Sequence, residues 1–112
     1  MPSESSRRPS YAVTWREARG PVRAGKLTLG ARGLRLEGGT LRGRLSAQTI
    51  VYGDLVGIDT ARRPGERIAG RPTLLLKRVE RASLAIASVD GPGCLHEFAE
   101  RLGQAIADTV PA

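Results

Sequence analysis

The hydrophobic period of this chain changes once, near residue 90, and that change restricts the fold more than any other feature. Before it, apolar residues alternate with polar ones in short runs. Tyr11, Val13 and Trp15 form one such series, Leu27 and Leu29 a second, Leu34 and Leu36 a third, and Leu84 and Ile86 another. A period of two is the signature of a strand with one buried face. The runs predict strands over 11–16, 22–29, 34–37, 47–52, 55–61, 72–79 and 82–89. Leu74-Leu75-Leu76 carries no alternation, but its short length and the flanking Pro72 place it with the strands. Beyond the change, Leu95, Phe98, Ala99, Leu102, Ala105, Ile106 and Thr109 recur at three and four, the spacing of one helical face. Glu97, Glu100, Arg101, Gln104 and Asp108 fall on the opposite face. Asp90 is the expected cap, and Pro92 suits a first turn. Gly103 weakens the helix by about 1 kcal/mol relative to Ala. Its bare backbone is expected to let the helix approach the sheet closely.

Turn residues separate the strands. Gly30 to Gly33 is expected to close a hairpin, Gly38-Gly39 to end it, and Gly53-Asp54 to form a tight turn. Residues 40–46 are expected to be a basic loop carrying Arg42 and Arg44, and 62–71 a loop of Arg, Pro, Gly and Glu. Residues 1–10 have nothing to bury and predict a disordered tail, leaving one domain over 11–110. The expected fold is mainly β (α+β): a seven-stranded sandwich or partly open barrel, capped by one C-terminal amphipathic helix.

The formal charge is +7 and unevenly placed. Residues 11–89 hold fifteen cations against six acids, a balance of +9, whereas 90–112 balance at −3. Such a body suits an anionic partner: phosphate headgroups, nucleic acid or an acidic protein face. Sixteen of the eighteen cations are Arg, a bias that GC-rich coding produces as readily as selection for phosphate contacts. Cys94 is the single cysteine, so an intramolecular disulfide is impossible, which fits a reducing compartment. No apolar run approaches the ~20 residues of a membrane span, and residues 1–10 lack a signal-peptide pattern. A cytoplasmic protein, peripheral to membranes at most, is expected.

Several segments carry a resemblance. "GKLTLGARGLRLEG" (25–38) resembles the opening hairpin of bacterial pleckstrin-homology-like (PH-like) and GRAM-like domains. "TIVYGDLVGID" (49–59) resembles the hairpin that follows it, and "RPTLLLKR" with "SLAIAS" completes the pattern before the helix. The similarity spans about residues 11–109. It implies two near-orthogonal antiparallel sheets whose open end is plugged by the helix. The chain departs from the family pattern in its final helix, which offers Phe98 where many PH domains carry Trp; Trp15 lies in the first strand instead.

The residues offer little for catalysis or metal binding. His96 and Cys94 are two apart on a helix and so point in different directions. Asp54 falls in a turn, where Asp bonds local backbone. Ser83 and Ser88 have no histidine near them in sequence, and neither dinucleotide-binding nor phosphate-loop glycine motifs occur. No catalytic residue, metal ligand or cofactor is expected. The PH-like arrangement implies that one end of the sandwich gathers Arg16, Arg19, Arg23 and Lys26, Arg42 and Arg44, and Arg78 and Arg81. These are the candidate anion or lipid contacts. The other end gathers Arg32, Arg62, Arg63, Arg67 and Arg71, so the charge is shared between ends. Nucleic acid would want aromatic platforms, yet Tyr11, Trp15, Tyr52 and Phe98 read as core. The expected role is therefore a non-enzymatic binding or adaptor module for another protein, with strand addition as one mode. Binding of anionic lipid headgroups comes next, and nucleic acid after it.

Overall fold

The computed structural model describes residues 10–18, 20–40, 43 and 45–109. Seven strands appear: β1 (Ser10–Glu17), β2 (Arg23–Leu29), β3 (Gly33–Gly39), β4 (Leu45–Val51), β5 (Leu55–Thr60), β6 (Thr73–Arg78) and β7 (Arg81–Ser88). One helix, α1 (Pro92–Thr109), follows. The period change near residue 90 thus marks the true boundary between strand and helix. All pairings are antiparallel, in the order β4-β3-β2-β1-β7-β6-β5. The sheet curls into a half-barrel, with β4 and β5 as its free edges. β1 is the central strand: Trp15 lies opposite Arg23 on one side and Ile86 on the other.

The alternating apolar residues line the concave face. Val13, Trp15, Leu27, Leu34, Leu36, Leu76, Leu84 and Ile86 are all fully buried there. The helix covers this face at one end. Its Leu95, Phe98 and Leu102 enter the same core, and the Phe98 ring sits 5.4 Å from that of Tyr11 in a tilted arrangement. Such aromatic pairs add about 0.5–1.5 kcal/mol beyond the area they bury. Tyr52, in the 3-10 turn Tyr52–Asp54, donates from its hydroxyl to the Gly30 carbonyl at 2.7 Å and ties β4 to the β2–β3 turn.

Four local expectations change. Gly38-Gly39 ends the hairpin as the last two residues of β3, but both still pair in the ladder, opposite Gly25 and Ala24. A Cβ on Gly25 would fall 2.0 Å from the Glu37 carbonyl oxygen, and one on Gly38 2.1 Å from that of Ala24. These glycines allow the backbones of β2 and β3 to approach closely, one of the usual reasons for glycine inside a strand. β4 begins at Leu45, inside the segment expected to be loop. The helix begins at Pro92, so Asp90 lies one residue too early to be its cap; the Asp90 amide instead donates to Ser88 Oγ at 3.1 Å. Gly103 is exposed, and a Cβ added there would meet nothing within 4 Å, so it does not serve close packing.

The long loop between β5 and β6 is also more ordered than its composition suggests. It holds two 3-10 turns, Pro64–Glu66 and Ile68–Gly70. Ile68 is buried on the convex face against Ala85 and Ala87. The loop therefore covers the outer surface of β7 and leaves that of β2, β3 and β4 open. The expected tail lies almost wholly outside the described residues; Ser10 already belongs to β1.

Candidate docking edge

The predicted cations that the structure describes do not converge on one pocket. Arg16 and Glu17 are neighbours on β1 and face opposite sides of the sheet. Arg16 points outward and donates to the Gly65 carbonyl at 3.2 Å, holding the β5–β6 loop. Glu17 points to the concave mouth, where Arg78 Nη2 meets its Oε2 at 3.1 Å. The Arg78 side chain is only 2% exposed and also donates to the Ala82 carbonyl, from Nε at 2.9 Å and Nη2 at 2.7 Å. Through Nε and Nη2 its guanidinium closes the β6–β7 hairpin onto β1. Arg23 donates to Ser46 Oγ at 2.6 Å across the mouth. Lys26 and Arg81 are exposed. Arg19, Arg42 and Arg44 lie outside the described residues. The structure thus brings Arg23 and Arg78 to the mouth and sends Arg16 to the other face. It also joins Arg16 to the loop of Arg62, Arg63, Arg67 and Arg71, which the sequence places at the opposite end.

What does converge is a strand edge. β4 reads Leu-Ser-Ala-Gln-Thr-Ile-Val and carries no charge, no proline and no glycine. It has β3 on one side and, among the described residues, no strand on the other. Backbone N–H and C=O groups along such an edge can template an added strand, and natural edges are usually blunted by charge, proline or a bulge. β5, the other edge, is blunted in this way. Its register shifts between Leu55 and Gly57, and Asp59 lies 3.9 Å from Lys77 Nζ. β4 has none of these devices.

Three grooves open along β4. At the mouth, Ser46, Ala47 and Gln48 border a cavity of about 370 Å3 with Trp15, Glu17 and Arg23. On the convex side, Leu45 borders one of about 460 Å3 with Thr14, Val22 and Ala24. Toward the β6–β7 turn, Thr49 and Ile50 border one of about 180 Å3 with Asp54, Arg78, Glu80 and Arg81. Among the described residues that line these grooves, Arg23, Arg78 and Arg81 are matched in number by Glu17, Asp54 and Glu80. Leu45 and Val51 stand on its convex row, 85% and 44% exposed.

The sequence reading placed a strand over 47–52 but gave Leu45 and Ser46 to a loop because of Arg42 and Arg44, and periodicity does not tell which strand lies at an edge. Two signals were present: an uncharged seven-residue run, and Leu45 in phase with Ala47, Thr49 and Val51.

His96 Nε2 lies 2.7 Å from Glu100 on the exposed helix surface, one helical turn away. Among the described residues, no three His, Cys, Asp or Glu side chains gather as a metal site. Tyr11, Trp15, Tyr52 and Phe98, all the aromatics of the chain, are buried. Among the described residues no helix is long and apolar enough to cross a membrane.

No protein-family model matches the sequence, and no curated protein matches it either. Among solved structures, the C-terminal domain of an unknown protein from Leishmania infantum is similar in fold, with a TM-score of 0.63. The match covers 88% of this chain and 82% of that one, at 13% identity. The likeness is one of fold alone.

Proposed function

We propose that this chain is a non-enzymatic, cytoplasmic binding module of PH-like type that takes an extended segment of another protein as an extra strand on β4. The strand order, the single C-terminal helix and its seat on the concave face support the PH-like reading. In that reading the sheet is two near-orthogonal halves that share β1. The observation that carries the function is the convergence of three grooves on an uncharged, unblunted edge. Main-chain hydrogen bonds to β4 would supply affinity, and the flanking grooves would sort alternate side chains of the added strand. The test is a titration of isotope-labelled protein with peptides selected from a random library of extended sequences. Shifts and new exchange protection confined to the amides of 45–51 and the groove residues are the expected result. Peptides that bind elsewhere, on β5 or α1, would refute it.

A second reading, contact with anionic lipid headgroups, has its own observation. Arg16 is held against the β5–β6 loop, which exposes Arg62, Arg63, Arg67 and Arg71 with Glu66 as its one acid. Polybasic surfaces of this kind attract anionic membranes and lose them as salt rises. Co-sedimentation with phosphatidylserine vesicles should then appear at low salt and fade at high salt. Absence of binding even at low salt removes this reading.

A further inference from the structure

The β4 edge carries a second property, its symmetry. We infer that the strand this edge fits is the β4 of a second copy, so that the module pairs with itself edge to edge. The inference rests on the docking reading of β4 and names its occupant.

The first argument is register. Antiparallel partners share a face of the sheet, so a two-fold pairing must set some residue opposite itself. Only the register centred on Gln48 engages all seven residues of β4. It puts Leu45 against Val51 of the second copy, Ala47 against Thr49, and Ser46 against Ile50. A two-fold interface has to be complementary to itself, with each contact repeated in reverse. Here the convex row matches apolar or small residues throughout. Leu45 and Val51, both strongly exposed in the single chain, would each cover the other twice. Gln48 would meet Gln48, and an amide can donate and accept at once.

The second argument is charge. Two copies with a formal charge of +7 repel one another at long range. That repulsion is tolerable only where no cations face each other at contact. β4 is such a place along its own length, since its seven residues are uncharged and, among the described residues, the neighbouring Arg23, Arg78 and Arg81 have Glu17, Asp54 and Glu80 beside them. The convex face near the β5–β6 loop, with its arginines, is not.

The third argument is strength. One seven-residue strand pair buries less than a standard interface, so the association is weak and concentration-dependent. It occupies the backbone groups that a foreign segment would need. Self-pairing and partner docking therefore compete, and dilution or partner excess frees the edge.

Sedimentation equilibrium of the full chain tests this, from about 10 μM to about 1 mM, where weak interfaces become populated. The apparent mass should climb from 11.9 kDa toward twice that value. Gln48→Lys and Gln48→Glu each place like charges directly opposite and should weaken association about fivefold or more. An equimolar mixture of the two should recover it. Leu45→Asp, on an exposed side chain that the fold does not need, should weaken it as well. A chain that stays monomeric throughout overturns self-pairing, and so does a dimer that none of these variants shifts. If selected peptides still move the amides of 45–51 in a chain that never dimerises, strand addition stands and only the self-pairing fails. If the charge pair rescues dimerisation but no peptide reaches β4, the reverse holds.

Discussion

Alanine substituted for glycine should change stability in opposite directions at two positions, and the structure sets both magnitudes. In β2, the Cβ of Gly25→Ala would lie 2.0 Å from the Glu37 carbonyl oxygen and 2.7 Å from the Gly38 Cα. Contacts below 3.0 Å are essentially never seen, so β3 must move away by at least the 1.0 Å difference. Adjacent strands sit about 4.7–4.9 Å apart, and a shift of that size breaks the local ladder. Overpacking together with the lost ladder bonds costs about 3–5 kcal/mol. That is a large share of the ~5–15 kcal/mol available to a domain of this size. In the helix, Gly103 is exposed and its new Cβ would meet nothing within 4 Å. Gly103→Ala should therefore stabilise by about 1 kcal/mol, through helix propensity and a less flexible unfolded chain. Urea denaturation followed by far-UV circular dichroism measures both. The midpoint should fall steeply for Gly25→Ala and rise for Gly103→Ala, with similar slopes. A Gly25→Ala protein within about 1 kcal/mol of the parent would show that the β2–β3 glycines are not there for backbone approach. A destabilised Gly103→Ala protein would mean the helix needs that position bare.

Two further outcomes follow from buried polar groups. Arg78→Met removes a guanidinium that donates to Ala82 O and Glu17. It leaves a carbonyl unpaired and should cost about 2–4 kcal/mol in urea, whereas Arg81→Ala, on an exposed side chain, should stay within about 0.5 kcal/mol; equal effects would contradict the structural role of Arg78. Burial, reinforced by the Glu97 carboxylate, raises the Tyr11 hydroxyl above its ordinary pKa of 10.0. The unfolded chain then releases this proton first, so stability is intact below about pH 10 and falls as pH climbs from there through the folded value. Tyr11→Phe should soften that alkaline loss in denaturation series across pH, and an unchanged alkaline limb would show that Tyr11 does not contribute to it.

Most of the architecture was legible because periodicity is a local property. Each strand needs only its own alternation to be recognised, and the helix needs only its own face. Features that depend on distant partners were not legible. Gly38-Gly39 signals a break when read locally; only its pairing with Gly25 and Ala24 shows that it still belongs to the β2–β3 ladder. Ile68 is one apolar residue in a run of Arg, Gly and Pro, and nothing nearby announces Ala85 and Ala87 beneath it. Arg78 reads as a cation at a strand end, free for an anion, until Glu17, 61 residues away, is placed beside it.

The arginines explain why net charge was a poor guide to the site. Arg16, Arg67 and Arg78 donate to the carbonyls of Gly65, Ala61 and Ala82, all in or beside irregular connections. A curled sheet with a long crossing loop has many carbonyls that no ladder satisfies, and buried or crowded carbonyls need donors. The guanidinium, with several donors in a rigid plane, serves two acceptors at once in a way that an ammonium on a flexible stem does not. Arg78 does this for Glu17 and Ala82. Part of the +9 of the body is therefore internal strapping and unavailable to a ligand. An anionic partner is left with the outer loop cations. The uncharged strand β4 is the surface where an added strand could exchange water for main-chain hydrogen bonds, whatever the charge around it.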